Sequence, residues 1–102
     1  MALRRGEVRS YKPVLERPGQ SLQRLIVSAD PLNDTELPII LGLQVIDHDP
    51  GVLLAVRLEG HGWAMVTTIE QVIKRRLGVV AGLISPDEQR AIDNALRAAL
   101  EL

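Results

Sequence analysis

"LPIILGLQVID", residues 37–47, is the stretch on which the reading of this chain turns. It is the most apolar part of the sequence, and it does not alternate. Strict alternation marks a strand with one wet face, whereas a short continuous apolar run marks a strand covered on both faces. Gly42 interrupts the run and predicts a bulge or a close approach of two backbones. A strand of this kind belongs in the middle of a sheet, so the segments on either side should supply its neighbours.

Upstream, "GEVRSYKPVL" (6–15) alternates and reads as a first strand, with Pro13 confining it to an edge or an end. "LERPGQS" (15–21) is a turn or loop. "LQRLIVSA" (22–29) is a second short strand, and it carries an Arg, Arg24, directly against its apolar run. Asp30 before Pro31 in "DPLNDTE" is an N-cap followed by proline, which predicts a brief helical turn. Downstream, "HDPG" (48–51) turns, "VLLAVRL" (52–58) is a strand, "EGHG" (59–62) turns and "WAMVTTIEQVI" (63–73) is another strand. The short turns at Gly51 and Gly60 predict antiparallel hairpins. "KRRLGVVAGLI" (74–84) reads as a basic loop leading into a last strand.

The period then changes. Ser85 precedes Pro86 and stands three residues before Glu88, the spacing of a capping box with proline at the first helical position. Ile92, Leu96 and Ala99 or Leu100 recur at helical spacing, predicting an amphipathic helix over about 86–101. The expected fold is mainly β with α: one domain spanning 1–102, five or six bent antiparallel strands forming a small curled sheet or barrel, and a C-terminal helix packed on it. Such a sheet leaves edges and apolar surface uncovered, which suggests a homodimer.

Composition narrows the function. The 102 residues contain no Cys, so disulfides and thiolate metal sites are excluded. Two His are too few for a zinc site without carboxylate help, and no metal or other cofactor is expected. One Trp, one Tyr and no Phe leave no aromatic platform for stacking bases. The start, "MALRRGEVRS", lacks the apolar core of a signal peptide, and no apolar run reaches the ~20 residues of a membrane span; a cytoplasmic protein is expected. Net charge is −1 but unevenly placed: residues 1–28 hold six basic against two acidic side chains, and residues 29–70 hold one against seven. A basic N-terminal third suits an anionic partner, and equally suits a solvated surface.

The order of these signals resembles a known family. "RRGEV" (4–8), "LIVSADPLN" (25–33), the long apolar strand, "KRRLG" (74–78) and "ISPDEQRAIDNALRAALEL" (84–102) look like the MazF/PemK/Kid toxins. The resemblance implies an SH3-like barrel working as a homodimer. It implies a ribosome-independent endoribonuclease that cuts single-stranded RNA and inhibits growth, within a type II toxin–antitoxin system. It also implies an antitoxin whose acidic tail covers the RNA groove. The same barrel resembles that of CcdB, which poisons DNA gyrase by protein contact; there an aromatic near the C-terminus carries the contact, and this chain ends "RAALEL". A family member without catalysis that only binds antitoxin is the remaining alternative.

Three positions depart from the family pattern. An Arg-Pro pair is expected at Leu22 and Gln23; the nearest Arg is Arg24, two residues on and therefore on the same strand face. A Thr is expected near Gln44, and a Gln-Ile-Arg where the chain reads Thr68-Ile69-Glu70. Cleavage by 2′-hydroxyl attack needs a base, an acid and positive charge at the phosphate. A guanidinium is always charged and donates two bonds to phosphate oxygens. Arg24 is the candidate for that role, with Gln44 orienting the phosphate and His61 as acid or base. The alternative reading makes Arg24 a strand-surface charge. Arg9, Lys12, Arg17, Ser28 and His48 are the candidate RNA-binding residues, each with a plain structural alternative.

Overall fold

The computed structural model describes residues 2–102. The apolar run becomes β3 (Ile39–Ile46), and it is central, as its covering on both faces requires. β2 (Gln23–Ile26) pairs with one edge of β3 and β5 (Gly62–Ile73) with the other, both antiparallel. β1 (Glu7–Tyr11) and β6 (Leu77–Leu83) extend the β2 side, and β4 (Ala55–Leu58) extends the β5 side. The result is a six-stranded antiparallel sheet of order β4-β5-β3-β2-β1-β6, bent so that both faces carry a core.

Gly42 does what its position foretold. The β3–β5 register shifts between Gly42 and Gln44, and a Cβ on Gly42 would stand 2.8 Å from a Val72 methyl and 3.2 Å from the Leu25 carbonyl. The extra residues of this irregularity lie on the twelve-residue β5, between Met65 and Glu70, and beyond them residues 63–65 pair with β3 on one edge and β4 on the other. The hairpin expected at Gly51 is a correction. β3 and β4 do not pair, because β5 occupies that edge of β3 and β4 pairs with the far edge of β5. The strand expected over 52–58 shortens to β4, since Leu54 takes a left-handed backbone (φ 63°) that a ladder cannot hold. The Gly60 hairpin between β4 and β5 forms as expected.

α1 (Asp30–Asn33) is the brief turn with proline at its start, but its N-cap is Ala29 and not Asp30, whose carboxylate instead accepts from the Arg5 amide and Asn33 Nδ2; Lys74–Arg76 is one turn of 3-10 helix where a loop was expected. α2 (Pro86–Leu100) begins with the full capping box: Ser85 Oγ accepts from the Glu88 amide at 3.1 Å, and Glu88 Oε1 accepts from the Ser85 amide at 2.8 Å. Ile92 and Ala95 turn inward onto Val8, Leu25, Leu43, Val45, Leu58 and Val66, so α2 covers one face of the sheet. Each such side chain contributes about 1.5–3 kcal/mol on full burial.

The second face carries Leu3, Tyr11, Ile26, Ile40, Val72 and Leu77. Residues that are cross-strand partners share a face. Since Arg9 opposes Arg24, Arg24 opposes Gln44, and Gly42 opposes Glu70, this second face also holds Arg9, Arg24, Gln44 and Glu70. Among the described residues no helix is long and apolar enough to cross a membrane.

Candidate functional site

Arg24 is not a solvated strand charge. Only 1% of its side chain is exposed. It leaves β2, passes over β3 beside the side-chain-free Gly42, and meets Glu70 on β5, with Nε donating to Glu70 Oε1 at 2.7 Å. Two strand spacings are about 10 Å, so only a long arginine and a glutamate together span them. Nη1 donates to the Ser21 and Gln23 carbonyls, both at 2.8 Å. The guanidinium carbon lies 4.7 Å from the centroid of the Tyr11 ring, close enough for a cation–π contact. Tyr11 is itself fixed, its hydroxyl oxygen accepting from the Ile73 amide at 3.2 Å.

This cluster floors a groove of ≈ 320 Å³ between the β1–β2 loop and β5. Pro13, Leu15, Arg17 and Gln20 form its loop wall, and Glu70, Gln71 and Ile73 its strand wall. The Glu70 side chain is 37% exposed here, so of the ion pair it is the carboxylate that meets solvent. Gln44 opposes Arg24 across the β2–β3 ladder, and its amide donates to Thr68 Oγ1 at 2.9 Å within the β5 bulge.

The remaining predicted residues divide between this groove and the framework. Arg17 is exposed on the groove wall. Lys12 is exposed at the end of β1, its backbone tied to Arg76. Arg9 is buried: Nε donates to Glu7 at 3.1 Å, and its terminal nitrogens donate to the Gly78 and Ala2 carbonyls. Ser28 is buried too, donating to Asn33 Oδ1 at 2.5 Å and accepting from the Leu41 amide. Arg9 ties the N-terminal segment to β6, and Ser28 ties α1 to β3. His48 is exposed beside Asp47, whose carboxyl is held below the usual range by the His48 hydrogen bond. A second cleft of ≈ 380 Å³ runs from His48 to Gln20, and Gln20 also borders the Arg24 groove.

His61 lies elsewhere. It lines a cleft with Asp47, Arg57 and Trp63, and its ring sits against Gly82 of β6, where a Cβ would be 2.7 Å from a ring atom. None of the residues lining that cleft lines the Arg24 groove. A further cleft of ≈ 500 Å³ is lined by residues 33–38 and by Lys74, whose ammonium is occupied by the Asn33 and Thr35 carbonyls. Among the described residues no three His, Cys, Asp or Glu gather as a metal site.

Tyr11, Gln20 and Gln71 escaped the reading of the sequence as residues of this groove. Glu70 was met there only as a Glu standing where the family pattern has Arg; it is also the single charge in residues 63–73.

No protein-family model and no curated protein matches the sequence. Solved structures do match its fold, among them an endoribonuclease and several MazF proteins. An endoribonuclease from Mycobacterial species superposes with TM-score 0.81 at 23% identity, over 100% of this chain and 94% of that one. An endoribonuclease from Mycobacterial species in complex with its cognate antitoxin gives 0.84 at 23%, over 99% and 97%. MazF from Deinococcus radiodurans gives 0.82 at 12%, over 100% and 99%. The architecture is therefore the MazF fold over the whole length of the chain.

Proposed function

We propose that this chain is the toxin of a type II toxin–antitoxin pair, an endoribonuclease that cleaves single-stranded RNA without the ribosome. The observation that carries the reading is the near-complete superposition on MazF endoribonucleases, free and antitoxin-bound, at TM-scores of 0.81–0.84. Support comes from the groove at Arg24 and Glu70, which is open, has the Glu70 carboxylate on its strand wall and is walled on the loop side by an exposed Arg17. RNA enters along the β1–β2 loop, with Arg17 and Lys12 on phosphates and His48 at the far end of the adjoining cleft. Gln44 supports the Arg24 end of the site, whereas Arg9 and Ser28 hold the framework.

The partner is an antitoxin with an acidic tail, and the working form is a cytoplasmic homodimer of a single 102-residue domain. The edge strand β6 supports the dimer: Val79 is 79% and Leu83 59% exposed, an apolar edge that a second copy would cover. The test is incubation of purified protein with a long unstructured RNA in the presence of a chelator, together with induced expression in bacteria. Discrete fragments and arrested growth are expected. Intact RNA at large protein excess refutes the nuclease reading, and DNA cleavage trapped on gyrase favours the CcdB-like alternative.

A further inference from the structure

The β4–β5 hairpin carries a set of side chains that the framework does not use, at the cleft of ≈ 320 Å³ that His61 lines with Asp47, Arg57 and Trp63. Arg57 and Trp63 are direct cross-strand partners and share a face, with Ile46 of β3 on the other side of Trp63. The hairpin that holds them is pinned. The Glu59 amide donates to Glu88 Oε2 at 2.6 Å, the His61 amide donates to the Leu58 carbonyl at 3.0 Å, and the His61 ring rests where a Cβ on Gly82 would stand. A Cβ on Gly62 would collide with the Ile46 carbonyl, so the backbone lies tight on β3 just before Trp63. The walls are fixed, but their polar groups are uncommitted. Among the described residues the Arg57 guanidinium, the His61 ring and the Trp63 indole N–H have no hydrogen-bond partner. Arg57 is exposed and is the one Lys or Arg in residues 29–70. Glu59 and Glu88 line a neighbouring cleft with it, yet it is in no ion pair, and the two Glu88 oxygens are taken by the Ser85 and Glu59 amides.

From this we infer that the cleft is a binding site for one nucleotide unit, with the phosphate on Arg57 and His61 and the base against the Trp63 indole. A guanidinium donates two bonds to phosphate oxygens, and every base has a face that stacks on an aromatic ring. A single indole is no platform for a run of bases, but it suffices for one. The volume agrees, being at the small end of the about 300–1,000 Å³ of ligand clefts. The Asp47 carboxylate opposes the phosphate and so meets the base, where it accepts from an amino group. Asp47 also lines the cleft that ends at His48, so the unit arrives either as a free nucleotide or as part of an RNA strand. The site shares no lining residue with the Arg24 groove, and the inference stands apart from the nuclease reading.

Trp63 is the only tryptophan in the chain, so its fluorescence reports on this cleft. Adenosine 5′-monophosphate should quench it saturably. Arg57→Gln should weaken that affinity at least about tenfold with Tm unchanged, and Arg17→Ala, in the groove, should leave it as it was. Calorimetry on Trp63→Leu should show a loss of at least about fivefold. An uncleavable 2′-O-methyl RNA hexamer separates the two sources: tighter quenching than by the monophosphate assigns the site to an RNA strand, weaker quenching to a free nucleotide, and both support it. Absence of saturable quenching by either ligand overturns the inference. Inorganic phosphate binding as tightly as the monophosphate also overturns it, because the indole would then contribute nothing. Quenching lost in Arg17→Ala but kept in Arg57→Gln moves the ligand to the groove and overturns it too. Each of these failures leaves RNA cleavage, measured separately, untouched.

Discussion

Replacing Arg24 by alanine is the severest single test of the site's architecture. The side chain is 1% exposed and makes three hydrogen bonds, one of them to a carboxylate. Hydrogen bonds to charged groups contribute about 1.5–3 kcal/mol each, and a buried carbonyl left without a donor costs about 1–3 kcal/mol, a loss that spares Gln23, whose carbonyl keeps the Ser21 hydroxyl at 3.0 Å. The cation–π contact with Tyr11 adds about 0.5–2 kcal/mol. These do not sum, since the vacated space admits water from the groove and Glu70, 37% exposed, is solvated once released. Breaking a buried pair typically costs about 3–5 kcal/mol, and the exposed carboxylate places this pair at the lower end, about 3 kcal/mol. For a domain of this size that corresponds to roughly 12–24 °C in Tm. The assay is urea or thermal denaturation at fixed protein concentration, with Arg17→Ala as the exposed control, expected within about 0.5 kcal/mol of wild type. An Arg24→Ala loss below about 1 kcal/mol would refute the view that the guanidinium ties three strands together.

Other consequences are simpler to test. Gly42→Ala places a methyl 2.8 Å from Val72 and 3.2 Å from the Leu25 carbonyl, and should destabilise by about 1–3 kcal/mol in the same denaturation assay. Ser85→Ala removes half of the capping box and should cost about 1 kcal/mol, with α2 fraying first by hydrogen exchange. Asp30 is held below its ordinary value of 3.8 chiefly by the Arg5 amide, then by Asn33. Its contribution is therefore present above pH 3.8 and lost as pH falls through the lower folded value, so Asp30→Asn should flatten the acid limb of the stability profile. Arg17→Ala should weaken RNA binding and reduce the slope of log affinity against log salt by about one.

Much of the architecture was legible because it rests on local chemistry. The unbroken apolar run at 37–47 announced a central strand, and Ser85-Pro86 with Glu88 announced the helix start, where burial pushes the Glu88 carboxyl up and amide bonds from Ser85 and Glu59 more than offset it. Pairing was less legible. Turn composition at Gly51 predicted a hairpin, but the choice between β4 and β5 as the neighbour of β3 depends on the length and bulge of β5, which local signals do not encode. The site was half legible. The family resemblance named Arg24 and Gln44 together, and the structure sets them opposite each other across the β2–β3 ladder, yet nothing near residue 24 reveals that a glutamate 46 positions later receives its side chain. His61 shared a loop character with His48 but lines a different cleft, a distinction that only the three-dimensional arrangement of the two turns makes.

The missing side chain at position 42 sets a limit on redesign. A Cβ there would press on Val72 of β5 and on the Leu25 carbonyl of β2, and would stand in ordinary contact, 3.7 Å, with the first carbon of the Arg24 side chain. A bulkier residue would therefore push on the two strands that hold Arg24 and Glu70, so an engineer refitting the bridge has to keep the middle strand bare at that level.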